Sequence, residues 1–203
     1  MPYILGLTGN IACGKSTVGA LLRELGADVY IDADAAVHQL YLPGGELPAR
    51  LAETFGAEIL DGDGGVDRRR LGAIVFGNPE RLRQLEAIVH PAVHADLVRR
   101  LAALGPGEIG VLDAVKLIES GYAPMCAGVW IVTCPEEIQL QRLIQIRGLT
   151  EEEARARLAA QPPIDAKLPL ATAVIHNDGS LDNLRRQVTE AWVKFKASLS
   201  EPE

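Results

Sequence analysis

The stretch LTGNIACGKST, residues 7–17, restricts the fold more than any other part of the chain. It follows an apolar run at residues 3–8 and fits the pattern G-x-x-x-x-G-K-[ST] through Gly9, Gly14, Lys15 and Ser16. Glycines let the backbone turn tightly enough for successive N–H groups to point inward at phosphate oxygens. A lysine then reaches the outer phosphates, and a hydroxyl supplies a ligand for Mg2+. A helix opening at that point adds about half a positive charge at its N-terminus. An apolar strand before the loop and an amphipathic helix after it, at 14–25, complete the context. The pattern predicts a site for ATP and Mg2+ built from Asn10, Ile11, Ala12, Cys13, Gly14, Lys15, Ser16 and Thr17. Lys15 is its catalytic cation, Ser16 its metal ligand, and Thr17 supports the loop or meets the α-phosphate.

The rest of the chain sets this loop in an α/β domain. Short apolar runs at 3–8, 28–31, 109–112, 129–133 and 173–175 read as buried parallel strands. Helical patterns at 14–25, 135–146 and 180–197 lie between or after them. This alternation predicts three layers around a central parallel sheet of about five strands, in one domain over 1–203. The middle breaks the rhythm: AVHQLYL, LPARLAETF, DRRRLGAIVF and PERLRQLEAIVHPAVHADLVRRL all read as helices, with DGDGG as a turn or short hairpin. Residues 35–104 are therefore expected to form a helical subdomain that holds the second substrate. A further excursion, 148–163, is charged and closed by Pro162 and Pro163. Thr150 with Glu153 makes a capping box there, so a helix starts at that point in what reads as a mobile lid.

Chemistry-bearing residues fall at strand ends, where open parallel sheets bind ligands. YIDADAA places Asp32 and Asp34 after the second strand. Each either acts on the phosphoryl group and Mg2+ or caps the following helix. Asp34 is the preferred base and a second metal contact. Asp113 ends the third strand, either as a Mg2+ contact or as a cap, and Lys116 and Glu119 follow it. Arg142 and Arg147 precede the lid and Arg155 and Arg157 lie within it. Arginines there suit phosphate charge in a transition state, or simply face solvent. His90 precedes Pro91, and its plainer reading is a helix kink whose imidazole satisfies a backbone group.

Composition narrows the function classes. Net charge is -7 and aromatics are 4%. That argues against general nucleic-acid binding and points to an aliphatic, Ala-rich core. The Arg68–Arg70 cluster and the Arg99–Arg100 pair read as solvated helix faces. Cys13, Cys126 and Cys134 are odd in number and lack metal-ligand spacing, which favours a reducing compartment. No apolar run nears the roughly 20 residues of a membrane span, and the first residues lack a signal-peptide pattern. A cytoplasmic location without membrane contact is expected. Cys13, among inward N–H groups at a helix N-terminus, is expected to carry a lowered pKa and to alkylate fastest.

In order and spacing these segments resemble the dephospho-CoA kinase family. The likeness runs through residues 4–17, Asp32–Ala33–Asp34, the stretch from Asp67 to Pro91, PEEIQLQRL, GLTEEEARARLAAQ and NDGSL. It implies a P-loop kinase fold that uses ATP and Mg2+ to phosphorylate the 3′-hydroxyl of dephospho-CoA. It also implies Asp34 as general base, Arg142 as a catalytic arginine and Asn177 beside the adenine. His90 falls in the coenzyme-A-binding helices, with Asp113 and Lys116 facing the acceptor. Arg157, Gln161 and Lys167 occupy family positions without an assigned role. Where the family reads D-x-P-L-L-F-E this chain has Asp113-Ala-Val-Lys-Leu-Ile-Glu119, and a second family arginine is Ile146 here, with Arg147 next. Two rivals stand beside this reading: a kinase for another small hydroxyl metabolite, and a nucleotide-binding protein without phosphotransfer. No N-K-x-D motif supports a GTPase switch.

Overall fold

The first apolar run forms strand β1 (Tyr3–Thr8), whose last four residues are buried. In the computed structural model, which describes residues 1–200, β1 is central. It pairs in parallel with β3 (Ile109–Asp113) on one side and β4 (Gly128–Thr133) on the other. β2 (Val29–Asp32) lies beyond β3, and β5 (Ala173–His176) pairs in parallel with β4. The order is β2-β3-β1-β4-β5. Every residue of β3 is buried. Covered on both faces, such strands read as continuous apolar runs rather than alternating ones.

Helices α1 (Lys15–Glu24) and α8 (Leu181–Ser198) cover one face of the sheet. Leu21 and Leu22 of α1 and Val188 and Trp192 of α8 pack on Leu5, Leu7, Val111, Trp130 and Val132. The core is not purely aliphatic. Trp130 meets Trp192 edge-on at 6.4 Å, and Trp192 stacks on Phe195 at 5.9 Å. The buried indole N–H of Trp192 donates to the Leu25 carbonyl at 2.9 Å. Trp130, Trp192 and Phe195 form one aromatic cluster within the core. The other sheet face is closed as well, with Leu112, Leu117 and Ile131 fully buried.

The helical middle, Asp32–Ala103, is a compact unit distinct from Met1–Ile31 and the chain from Leu104 onward. It contains α2 (Ala33–Leu40), α3 (Glu46–Phe55), α4 (Arg68–Val75) and α5 (Pro79–Leu101). Adjacent residues cap two of these helices: Asp67 accepts from Arg69 and Arg70 N–H groups, and Asn78 accepts from Glu80 and Arg81 ahead of Pro79. DGDGG closes a short hairpin, with Leu60 and Val66 bridged. α5 runs through Pro91 without ending. The Arg99–Arg100 pair is not merely solvated: both guanidiniums hold Asp96, which is 4% exposed. A buried carboxylate requires such partners.

After β4, α6 (Glu136–Gln145) packs against α7 (Glu151–Ala159). The capping box forms. Thr150 Oγ1 accepts from Glu153 N at 3.2 Å, and Glu153 Oε2 accepts from Thr150 N at 2.9 Å. Two short 3-10 turns, Ile164–Ala166 and Leu168–Leu170, then lead to β5.

Candidate active site

The loop from Gly9 to Gly14 leaves the carboxyl end of the central strand and turns into α1. Gly9 has φ 151°, and a Cβ there would lie 2.3 Å from the Val132 carbonyl oxygen. Gly14 has φ 95°, and its Cβ would lie 2.0 Å from the Asn177 amide nitrogen. Both positions exclude a side chain by space as well as by dihedral. Ala12 also has a positive φ, 59°, without being glycine. Such a conformation persists where surrounding contacts enforce it.

Those contacts come from outside the motif. Asn177 is 7% exposed, and its Nδ2 donates to the Cys13 carbonyl at 2.8 Å. Arg142, on α6, donates through Nη1 to the Ala12 carbonyl at 3.1 Å and through Nη2 to the Asn177 carbonyl at 3.2 Å. Asn177 and Arg142 thus brace the Ala12 and Cys13 carbonyls of the loop. The side-chain amide of Asn177 is committed to the loop rather than presented to a base. Gln161, just past α7, accepts from Ile11 N at 2.7 Å, and Asn10 Nδ2 reaches the Pro162 carbonyl at 3.5 Å. No spacing rule gave Gln161 this task; its signal lay only in its position on a family motif.

Lys15 Nζ donates to the Gly9 carbonyl at 3.3 Å. Ser16 and Thr17 are exposed in the first turn of α1. Cys13 contradicts expectation: it is 1% exposed and fills the space under Gly9. Burial pushes its thiol pKa up, and Lys15 offsets only part of that. Burial likewise raises Cys126 and Cys134 to about 11. Asp113, 7% exposed at the end of β3, accepts from the Tyr30 hydroxyl at 2.6 Å. Lys116 is exposed in the loop after it. Arg155 pairs with Glu151 at 2.7 Å along α7, and Arg147 is exposed at the end of α6.

On the helical unit, the two aspartates separate by task. Asp32 is the N-cap of α2 and accepts from Ala35 N at 2.9 Å. Asp34 is exposed in the first turn, and its carboxylate has no hydrogen-bond partner among the described residues. His90 is exposed on α5. Among the described residues its imidazole satisfies no backbone group, contrary to the plainer reading.

Comparison with known proteins adds the family. A profile described as dephospho-CoA kinase matches residues 3–183. A dephospho-CoA kinase of Symbiobacterium thermophilum is 50% identical over 93% of this chain and 80% of its own length. One from Geobacillus kaustophilus is 45% identical over 93% and 94%. The chain belongs to the dephospho-CoA kinase family. Within that family, a solved Campylobacter jejuni enzyme superposes with TM-score 0.65 at 28% identity, covering 96% of this chain and 97% of its own. A Thermus thermophilus structure superposes at 0.81 with 38% identity, covering 98% and 99%. Shikimate kinase from Acinetobacter baumannii, at TM-score 0.56 and 17% identity over 99% and 97%, shares the fold.

For a dephospho-CoA kinase the donors fit Mg2+. The Ser16 hydroxyl is exposed and makes no hydrogen bond among the described residues. Among those residues no group of three or more His, Cys, Asp or Glu gathers as a dedicated cage. Mg2+ keeps several waters and takes one or two protein ligands plus substrate phosphates, so one hydroxyl suffices.

Proposed function

We propose that this kinase transfers the γ-phosphoryl group of ATP to the 3′-hydroxyl of dephospho-CoA, giving coenzyme A and ADP. The supporting observation is the span of the likeness: one profile covers the phosphate loop, the helical unit and the lid segment together. The parts that hold donor and acceptor come as one set. ATP and dephospho-CoA are the small-molecule partners, and the chain works in the cytoplasm. No helix among the described residues is long and apolar enough to cross a membrane.

Each residue then has a task. The loop of residues 10–17 cradles the phosphates through its N–H groups at the turn into α1, while Ile11 N stays with Gln161, and Lys15 leaves the Gly9 carbonyl to neutralise them. Ser16 and Asp34 would hold Mg2+, which when bound would offset charge on the phosphate oxygens. Asp34 accepts the hydroxyl proton; its carboxylate is the one not spent on capping. Arg142 keeps the loop preorganised for transition-state charge while Asn177 latches it on the adenine side. Residues 35–104 carry the acceptor site with His90, and Asp113 and Lys116 meet the acceptor from the loop after β3. Residues 148–163 close as a lid against water.

A coupled ADP-release assay with dephospho-CoA and a panel of other hydroxyl compounds tests this. Release that depends on dephospho-CoA is expected. Equal background release with every acceptor would overturn it, and tight ATP binding with no turnover would favour a binding protein.

A further inference from the structure

Lys167 is 3% exposed, an unusual place for an ammonium group. A buried charge is costly unless it is paired and hydrogen-bonded. Here it has two acceptors. Nζ donates to the Val115 carbonyl at 3.0 Å and pairs with Glu119 Oε1 at 3.0 Å. Both belong to the loop after β3, which carries Lys116 and contains no helix or strand before Ala123. Turn bonds such as Ser120 N to the Lys116 carbonyl at 2.8 Å and Tyr122 N to the Leu117 carbonyl at 3.0 Å help to shape it, and Ala114 N donates to the Leu7 carbonyl at 3.0 Å.

The same Val115 carbonyl also accepts from Thr8 Oγ1 at 3.0 Å. Thr8 is the last residue of β1, immediately before Gly9. Lys167 itself lies just past the lid segment, between its two 3-10 turns. Upstream, Gln161 holds Ile11 of the phosphate loop. One carbonyl oxygen and one carboxylate thus join three pieces of chain: the start of the phosphate loop, the exit from the lid, and the loop after β3. The sheet already ties the first piece to the third through the pairing of β1 with β3, and Lys167 adds the lid exit to that corner.

We infer that Lys167 is a positioning residue for the acceptor: its ammonium fixes the Val115–Glu119 loop to the lid exit and so sets where Lys116 stands. Being buried and doubly bonded, it touches neither substrate. A buried ion pair adds little net stability over an apolar substitute, so what this one supplies is register. The inference rests on the dephospho-CoA reading for its kinetic consequence only.

The decisive variant is Lys167→Met, which keeps the length of the stem and removes the donors. It leaves Val115 bonded to Thr8, and Glu119, 37% exposed, free to hydrate, so the fold is retained. Hydrogen exchange at the amides of Ser120, Gly121 and Tyr122 is expected to quicken about tenfold, with α8 unchanged. KM for dephospho-CoA is expected to rise about tenfold while KM for ATP stays within about twofold. Glu119→Gln should shift the same KM less, and the double variant should be no worse than Lys167→Met alone. Unchanged exchange in the loop overturns the inference, as does a parallel rise in both KM values. Should dephospho-CoA prove not to be the acceptor, the functional reading fails, and the exchange comparison still decides this one.

Discussion

At the scale of single residues, the proposed function divides the site into groups that would meet phosphates and groups that hold the loop in shape. Lys15→Ala removes the only cation inside the loop motif and should abolish transfer without unfolding the chain. Asp34→Asn should lower kcat by about 10^2- to 10^4-fold while ATP still binds, because a general base is lost and no cap is touched. Isothermal titration with ATP beside the ADP-release assay checks both variants; full activity in Asp34→Asn would transfer the role of base elsewhere. Gly14→Ala belongs with the shaping group. Its methyl meets the Asn177 amide, so ATP affinity should fall even though alanine favours helices. The thiols make a separate test. With burial raising all three pKa values, little thiolate is present at pH 8, and Cys13 should be alkylated slowest. Peptide mass spectrometry after timed alkylation reads the order, and a fast Cys13 would mean that the loop opens.

At the scale of elements, short helices depend on their caps. α7 buries only Ala154, so its capping box carries much of its stability. Thr150→Ala should destabilise it by about 1 kcal/mol, seen as faster hydrogen exchange within α7 alone. Caps also give the helices a pH dependence. The Arg70 and Arg69 N–H groups hold the Asp67 carboxyl below its usual range, and Thr150 does the same for Glu153. A lowered carboxyl pKa gives stability that is complete above the unfolded value, about 4, and lost as pH falls through the folded one. The first turns of α4 and α7 should therefore fray below about pH 4, ahead of the sheet, with far-UV circular dichroism as the measurement. Loss at neutral pH would point to another cause.

At the scale of the molecule, the two tryptophans of the chain share one face of the sheet, against α8. Trp192→Ala should cost about 3–5 kcal/mol and lower the midpoint of denaturant unfolding, whereas Asp34→Asn should leave that midpoint unchanged. Much of this architecture was legible beforehand. The central strands β1, β3 and β4 were apolar runs because burial on both faces removes any need for polar alternation, and α4, α5, α7 and α8 carried their caps in adjacent residues. The phosphate loop was legible because its glycines, lysine and hydroxyl act within one continuous segment. The rest joins residues far apart in the chain. Nothing local distinguished Asp32 from Asp34, until backbone geometry made one the cap. Nothing marked Arg142, Asn177 and Gln161 as braces of the loop. Cys13 looked activated from its neighbours in sequence, yet packing beneath Gly9 took its thiol out of water. The sequence by itself determined the order of strands and helices, the caps and the loop motif, since these depend on contacts within a few residues. The tertiary structure decided which side chains brace, pair or stay free, because desolvation and hydrogen bonding are settled only when distant segments meet.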